Sequence, residues 1–344
     1  MLQNYIFFVQ RTNYLLLFVC LAVTQIKVSA QDIHFSQFYA SPLSLNPANT
    51  GNYDGDWRIM NNYRNQWRAL SIPFRTISVG FDKQIYIYSE KFSAGLYVVN
   101  DKSGTAGLTV NKLYLSLAWH KTANGHNLHL GIQGGMVFKN FSMDKLTFPS
   151  QFDMTIGYFN PQLANNESNT NLSTNYPDLN IGAGWSKKLH YFEPEIGISF
   201  FHVTMPKESF LENNNILPIR VALNAGLNIP VKQFYAHPQI LYMKQSRATD
   251  FLGGFEFGYN IPKANVIKQI FAGYFFRNDF STAFDASIAV IGLQFKQLRL
   301  GFSYDINSSP LKVATNHRGA FEVSLIYISK STIPQKITLP CDRL

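Results

Sequence analysis

The chain has 344 residues, of which 15% are aromatic and 15% charged, with 29 Phe and 18 Tyr against only 4 Trp, and a formal net charge of +9. Soluble proteins carry about 25% charged residues, so this composition points away from an ordinary soluble domain, while a hydrophobic content of 46% does not suit a bundle of membrane helices. The basic surplus is scattered, with no zinc-finger spacing and no basic amphipathic helix, and nucleic acid is therefore not an expected partner.

At the amino terminus Arg11 precedes an apolar run from Tyr14 to Val23, and Val28-Ser29-Ala30 presents the residues a signal peptidase reads. Residues 1–30 are expected to be a cleaved leader with Gln31 as the first mature residue, because the run is shorter than the ~20 apolar residues of a spanning helix. Cleavage removes Arg11 and Lys27 but no acid, so +9 becomes +7, and it removes Cys20. Cys341 then remains as the single mature cysteine, which excludes an internal disulfide. Residues 31–56 lack strand periodicity and are expected to form a plug or mouth segment.

Beyond the leader no apolar stretch of 18 residues free of charge and turn signals occurs, so any membrane span must be built from strands. Period-two alternation is clear in Phe92–Val98, Leu113–Trp119, Phe251–Tyr259, Ala283–Leu293, Leu298–Tyr304 and Phe321–Tyr327. About fourteen strands are predicted, at 57–66, 75–83, 92–100, 111–121, 127–138, 179–187, 193–203, 219–228, 235–244, 251–259, 267–276, 283–293, 296–305 and 319–328, with about twelve or sixteen as the alternatives. Many approach the ~9–11 residues of a tilted membrane strand. The expected fold is all-β: a transmembrane antiparallel barrel over 57–328, probed by an even strand count that puts both chain ends in the periplasm, with a tail at 329–344. Trp57, Trp67, Trp119, Trp185, Tyr304 and Tyr327 fall near strand ends, where aromatic girdles belong. The stretches 140–177 and 206–218 are expected to be long loops.

Motifs for catalysis are missing. No His-Glu-x-x-His, phosphate-binding glycine loop or glycine-serine-glycine elbow occurs, and His126 and His129 would point to opposite faces of a strand. No metal, cofactor or enzymatic activity is expected. Polar residues embedded in aromatic strands are more informative. Asn62, Arg64 and Gln66 share one face, and a lumen-facing Arg64 would either pair with Asp101, Asp153 or Asp305 or bind a peptide carboxylate. Arg277 and Glu322 are further candidates for such a lumen or plug network.

Read in order, a set of short segments is more specific. Asp32-Ile33-His34-Phe35-Ser36-Gln37-Phe38-Tyr39, Leu45-Asn46-Pro47-Ala48, Tyr63-Arg64-Asn65-Gln66-Trp67, Asn100-Asp101-Lys102-Ser103-Gly104, Leu146 to Asp153, Pro206 to Phe210, Phe302 to Asn307 and Gly319 to Leu325 together cover almost the whole mature chain. In this order they resemble the PorP/SprF family, found with the type IX secretion and gliding machinery of Bacteroidota. The ending departs from the family pattern: Cys341 and Arg343 are kept as candidate tail contacts, but the proline after the cysteine and the final aromatic are not.

The resemblance implies an outer-membrane barrel that works with other type IX or gliding components and anchors secreted proteins or an adhesin through their carboxyl-terminal sorting domains. The aromatic residues Phe148, Phe152, Tyr158, Phe159 and Phe210 in the two loops are the candidate cargo-docking side chains. The alternative is an outer-membrane channel or transporter for small solutes, which the same architecture would serve.

Overall fold

The computed structural model describes residues 32–332 apart from 69–71, 89, 105–106, 143–145, 161, 165–170, 211–213, 264, 280–283 and 311. The leader and the tail residues Cys341 and Arg343 lie outside the described residues. The chain divides at Asp32, and every strand belongs to the unit that begins at Ile33.

In chain order the strands are β1 (Trp57–Gln66), β2 (Phe74–Ile87), β3 (Glu90–Ser103), β4 (Leu108–Ala123), β5 (His126–Ser142), β6 (Phe152–Asp153), β7 (Tyr158–Phe159), β8 (Asn171–Lys187), β9 (Glu193–Phe201), β10 (Arg220–Val231), β11 (Phe234–Gln245), β12 (Ala248–Asn260), β13 (Ile267–Asn278), β14 (Phe284–Phe295), β15 (Leu298–Asn307) and β16 (Arg318–Ile328). Fourteen of them close into an antiparallel barrel, sealed by β1 against β16 from Arg58↔Ile328 to Gln66↔Ala320, while β6 and β7 form a separate two-stranded sheet. Each of the fourteen predicted strands corresponds to one barrel strand.

Alternation along each strand is inside-out relative to a soluble protein. On β2, Ile77, Val79, Phe81 and Ile85 are exposed on the outer face, whereas Thr76, Ser78, Asp82 and Gln84 are buried on the inner one. Apolar side chains outside and satisfied polar ones inside are what lipid around a filled lumen requires.

The two ends of the barrel differ. At one end the connections are tight, as at Asn124-Gly125, where both residues have positive φ (51° and 76°), the type I′ geometry that asparagine and glycine favour. At the other end lie the long connections 143–170, 202–219 and 308–317. Short periplasmic turns and longer outer loops are the bacterial pattern. Trp57 and Ile328 sit at the short-turn end, so the barrel begins and finishes on the periplasmic side. Aromatic rings mark that rim: Trp57 and Tyr327 pack with centroids 5.2 Å apart, Trp119 donates to Glu90 (3.0 Å) and Trp185 to His126 (3.0 Å).

Strand heights are unequal. β5 and β8 have 17 residues each, β9 only 9. Since ~9–11 residues cross the membrane, the β5–β8 ribbon stands well above it. This corrects the expectation that 140–177 is free of barrel strand: β5 continues to Ser142 and β8 begins at Asn171. The missed stretch is polar and exposed on its outer face at Asn140, Ser173 and Asn175, so no apolar side chains mark that face and the hydrophobic alternation disappears while the pairing persists.

Candidate functional site

The lumen is occupied by residues 33–56, whose short turns bury Phe35 and Ala48 and place Phe38 and Leu45 in one apolar cluster and Leu43 in another against the inner wall. Ile33 packs against the cluster that contains Leu43, Val110 and Tyr114, and the chain continues to Gly51 beside Asp82 and Ser93 near the short-turn end. Of its three short helical turns, Pro42 and Pro47 open the second and third, and the Asn46 side chain caps the third by accepting from Ala48 N (2.9 Å).

Three sets of contacts fix this plug. The outer set is ionic. Arg64 faces Glu322 across the β1–β16 seam and donates to it, and it also donates to Asp305 (3.1 Å) and Gln66 (3.1 Å). Glu322 in turn accepts the backbone N–H groups of Ser36 (2.7 Å) and Gln37 (2.9 Å), and the Ser36 hydroxyl donates to Asp305 (2.7 Å). Arg277 joins from β13, donating to Asp285 (2.6 Å) and Asp305 (3.4 Å). The wall thus offers two guanidinium groups and three carboxylates, and the plug supplies donors to the carboxylates that remain. Charges buried this deeply persist only when each is paired and hydrogen-bonded.

The middle set uses the backbone. Asn46 Nδ2 donates to the carbonyls of Ala183 (3.0 Å) and Ile198 (3.2 Å), and Ser199 Oγ to Leu45 O (2.8 Å). Glycines admit this approach: a Cβ on Gly131 would stand 2.3 Å from the Pro47 carbonyl carbon, and one on Gly182 1.9 Å from Asn46 Oδ1. Near the periplasmic end Arg58 donates twice to Asp82 (3.0 and 2.6 Å) and once to Asn49 O (3.0 Å), while Asp82 accepts Gly51 N (2.7 Å). His120 stands beside Thr50 O (2.9 Å) and shares a 2.7 Å contact with His129 through their Nδ1 atoms.

Of the predicted lumen residues, Arg64, Gln66, Arg277, Asp305 and Glu322 come together. Asn62 is buried on the same face without bonding to that group. Asp101 belongs elsewhere, accepting from Thr76 (2.5 Å) and Ser103 (2.8 Å), and Asp153 lies in the β6–β7 sheet, where it accepts from Thr155 N (2.8 Å). Of the three acids considered for Arg64, the structure selects Asp305. Arg58, Asp82, Asn46 and the His120–His129 pair were missed. Arg58 has the same parity on β1 as Arg64, which was the available signal. His126 and His129 do face opposite ways.

The outer loops present apolar rings. Tyr158 is 61% exposed and Met154 92%, and Phe152 packs edge-on against Phe159 at 5.3 Å, both about half exposed. Phe148 is half-buried, its carbonyl accepting from Gln151 N (2.9 Å). Phe210 instead turns toward Phe141 of β5 (6.3 Å), beside a Lys139–Glu208 ion pair, and so braces the 202–219 loop against the ribbon.

Comparison with known proteins adds a family. Residues 27–327 match the sequence model of the family described as type IX secretion system membrane protein PorP/SprF. No curated protein matches the chain. Among solved structures it is similar to the CymD monoaromatic hydrocarbon channel (TM-score 0.48, 10% identity, 86% of this chain and 94% of that one). It is also similar to the toluene transporters TodX of Pseudomonas putida (0.47, 11%, 83% and 91%) and TbuX of Ralstonia pickettii (0.45, 9%, 83% and 92%).

Proposed function

The chain belongs to the PorP/SprF family of type IX secretion system membrane proteins, an outer-membrane β-barrel and not an enzyme, and from that premise we propose that it anchors secreted cargo at the cell surface through the cargo's carboxyl-terminal sorting domain. The observation that carries this reading is the exposed aromatic sheet β6–β7, in the connection between β5 and β8. Exposed aromatic clusters on a rigid support are the usual anchors of protein interfaces. The filled lumen supports the same reading, because a barrel stoppered by its own residues works through its rim.

Replacing Tyr158 and Phe159 by serine tests it. The expected outcome is at least a tenfold loss of cell-surface retention of a reporter fused to a type IX sorting domain, with the barrel still inserted. Unchanged retention would remove β6–β7 from the docking surface.

A second reading, a channel for small solutes, draws on polar residues of the wall that stay partly exposed. Glu195 on β9 and His237 on β11 face each other at 3.3 Å with side chains 48% and 24% exposed. Conductance in reconstituted bilayers separates the two readings: the anchoring reading expects little current from the intact protein, and a steady conductance at neutral pH would favour the channel.

A further inference from the structure

The barrel wall has a free strand edge on its outer side. β8 pairs with β5 along its full length, from Ser142↔Asn171 to His126↔Lys187, but with β9 only from Ile181↔Phe200 to Ser186↔Glu195. One further backbone bond, Val203 N to Leu179 O (2.9 Å), extends that seam before the chain turns away. Above it, among the described residues, no strand lies beside β8 on the β9 side.

The direction of the unpaired groups follows from pairing geometry. In an antiparallel ladder the N–H and C=O of one residue point to the same side, and successive residues alternate. Because Leu179 uses its carbonyl toward β9, the backbone groups of Pro177, Asn175 and Ser173 point the same way. Pro177 has no N–H and ends the row below, while Ser173 and Asn175 present both donor and acceptor. Their side chains are exposed.

The inner face of this part of the ribbon is already covered. Lys139 pairs with Glu208, and Phe210 packs on Phe141. What stays open is the edge itself. A row of alternating backbone donors and acceptors is satisfied in full only by another extended chain.

We infer that the edge of β8 at residues 173–177 receives an extended strand of the cargo's sorting domain, so that cargo is held by β-augmentation with the β6–β7 rings as a second contact. This rests on the anchoring function proposed above and specifies its mode. Main-chain bonds give such a site tolerance of cargo sequence, and the aromatic rings of β6 and β7 add selectivity.

The test uses the full-length protein in outer membranes and a sorting domain of a type IX substrate fused to a fluorescent reporter. The double variant Ser173→Pro/Asn175→Pro removes two N–H groups on the free side and none that pair with β5. Ser173→Ala/Asn175→Ala keeps the backbone and removes the side chains. The expected result is at least a tenfold loss of reporter retention for the proline pair and less than a twofold change for the alanine pair, with heat-modifiable gel mobility showing that both barrels fold. Equal retention by the proline and alanine pairs, while Tyr158→Ser/Phe159→Ser releases the reporter, would overturn the edge and leave anchoring intact. Retention unaffected by all three variants would overturn both. A solubilised barrel that is dimeric and becomes monomeric in the proline variant would assign the edge to a second copy and overturn the inference as well. Should the proline pair fail to fold, Asn175→Pro alone carries the same expectation.

Discussion

Arg64 holds the outer end of the plug by satisfying two carboxylates that come from different strands. Removing a partner from a buried ion pair typically costs ~3–5 kcal/mol, because the remaining charge keeps its desolvation penalty. Arg64→Met is therefore expected to lower the temperature at which the barrel loses its folded gel mobility, because it removes a donor from both Asp305 and Glu322, and Arg58→Met is expected to lower it too, because the buried Asp82 then keeps the Gly51 N–H in place of two guanidinium bonds. At the periplasmic rim Asp56 accepts the Thr332 hydroxyl (2.5 Å) and backbone N–H (3.0 Å), and these bonds hold its carboxyl below the ordinary range. A depressed carboxylate contributes above its unfolded pKa and loses that contribution as pH falls through the folded one. A spin label next to Thr332 should stay immobile down to the usual carboxylate range and loosen only in stronger acid, and Asp56→Asn should flatten that dependence. The polar lumen face was legible in the parity of Asn62, Arg64 and Gln66. Which acid meets Arg64 was not, because Asp101, Asp153 and Asp305 differ only in register and height, and those are fixed by pairing across the whole sheet.

Among the elements, the plug and the wall are complementary by subtraction: glycines on β5 and β8 leave the room that Asn46 and Pro47 fill. Gly131→Val puts a branched side chain where the Cβ alone would be 2.3 Å from the Pro47 backbone, and overpacking of this kind costs ~1–3 kcal/mol. The strand can keep its pairing, so the expected result is an inserted barrel whose residues 33–56 become protease-sensitive and whose conductance rises. A protected plug in that variant would contradict the packing described here. The sequence shows the plug only as missing periodicity, which reveals an irregular segment but not its path. The upper ribbon was hidden for the opposite reason, since regular pairing there has no two-faced hydrophobic pattern to announce it.

At the scale of the whole molecule, the lipid-facing belt is the feature most plainly written in the chain, through alternations such as Leu113, Leu115 and Leu117 on β4. Leu115 is 67% exposed on the outer face. A positive charge at the bilayer midplane costs ~2–4 kcal/mol, so Leu115→Arg is expected to lower the urea midpoint of unfolding in vesicles markedly, whereas Tyr114→Arg would act through the lumen by removing the hydroxyl that donates to Asp178 (2.7 Å). Strand number and order follow from alternation and loop spacing, and they were readable for all fourteen barrel strands. Relative strand height was not, because it depends on where the membrane ends.

The outer latch joins residues far apart in the chain: Ser36 and Gln37 meet Glu322 at separations of 286 and 285 residues. Its acceptor therefore does not exist until the final strand has met the first. A growing or truncated polypeptide that stops short of β16 can thread its amino-terminal stretch but cannot fasten its outer end. Closing that latch must then be the last event of assembly, and a fastened outer end reports that the ring was completed in the correct register.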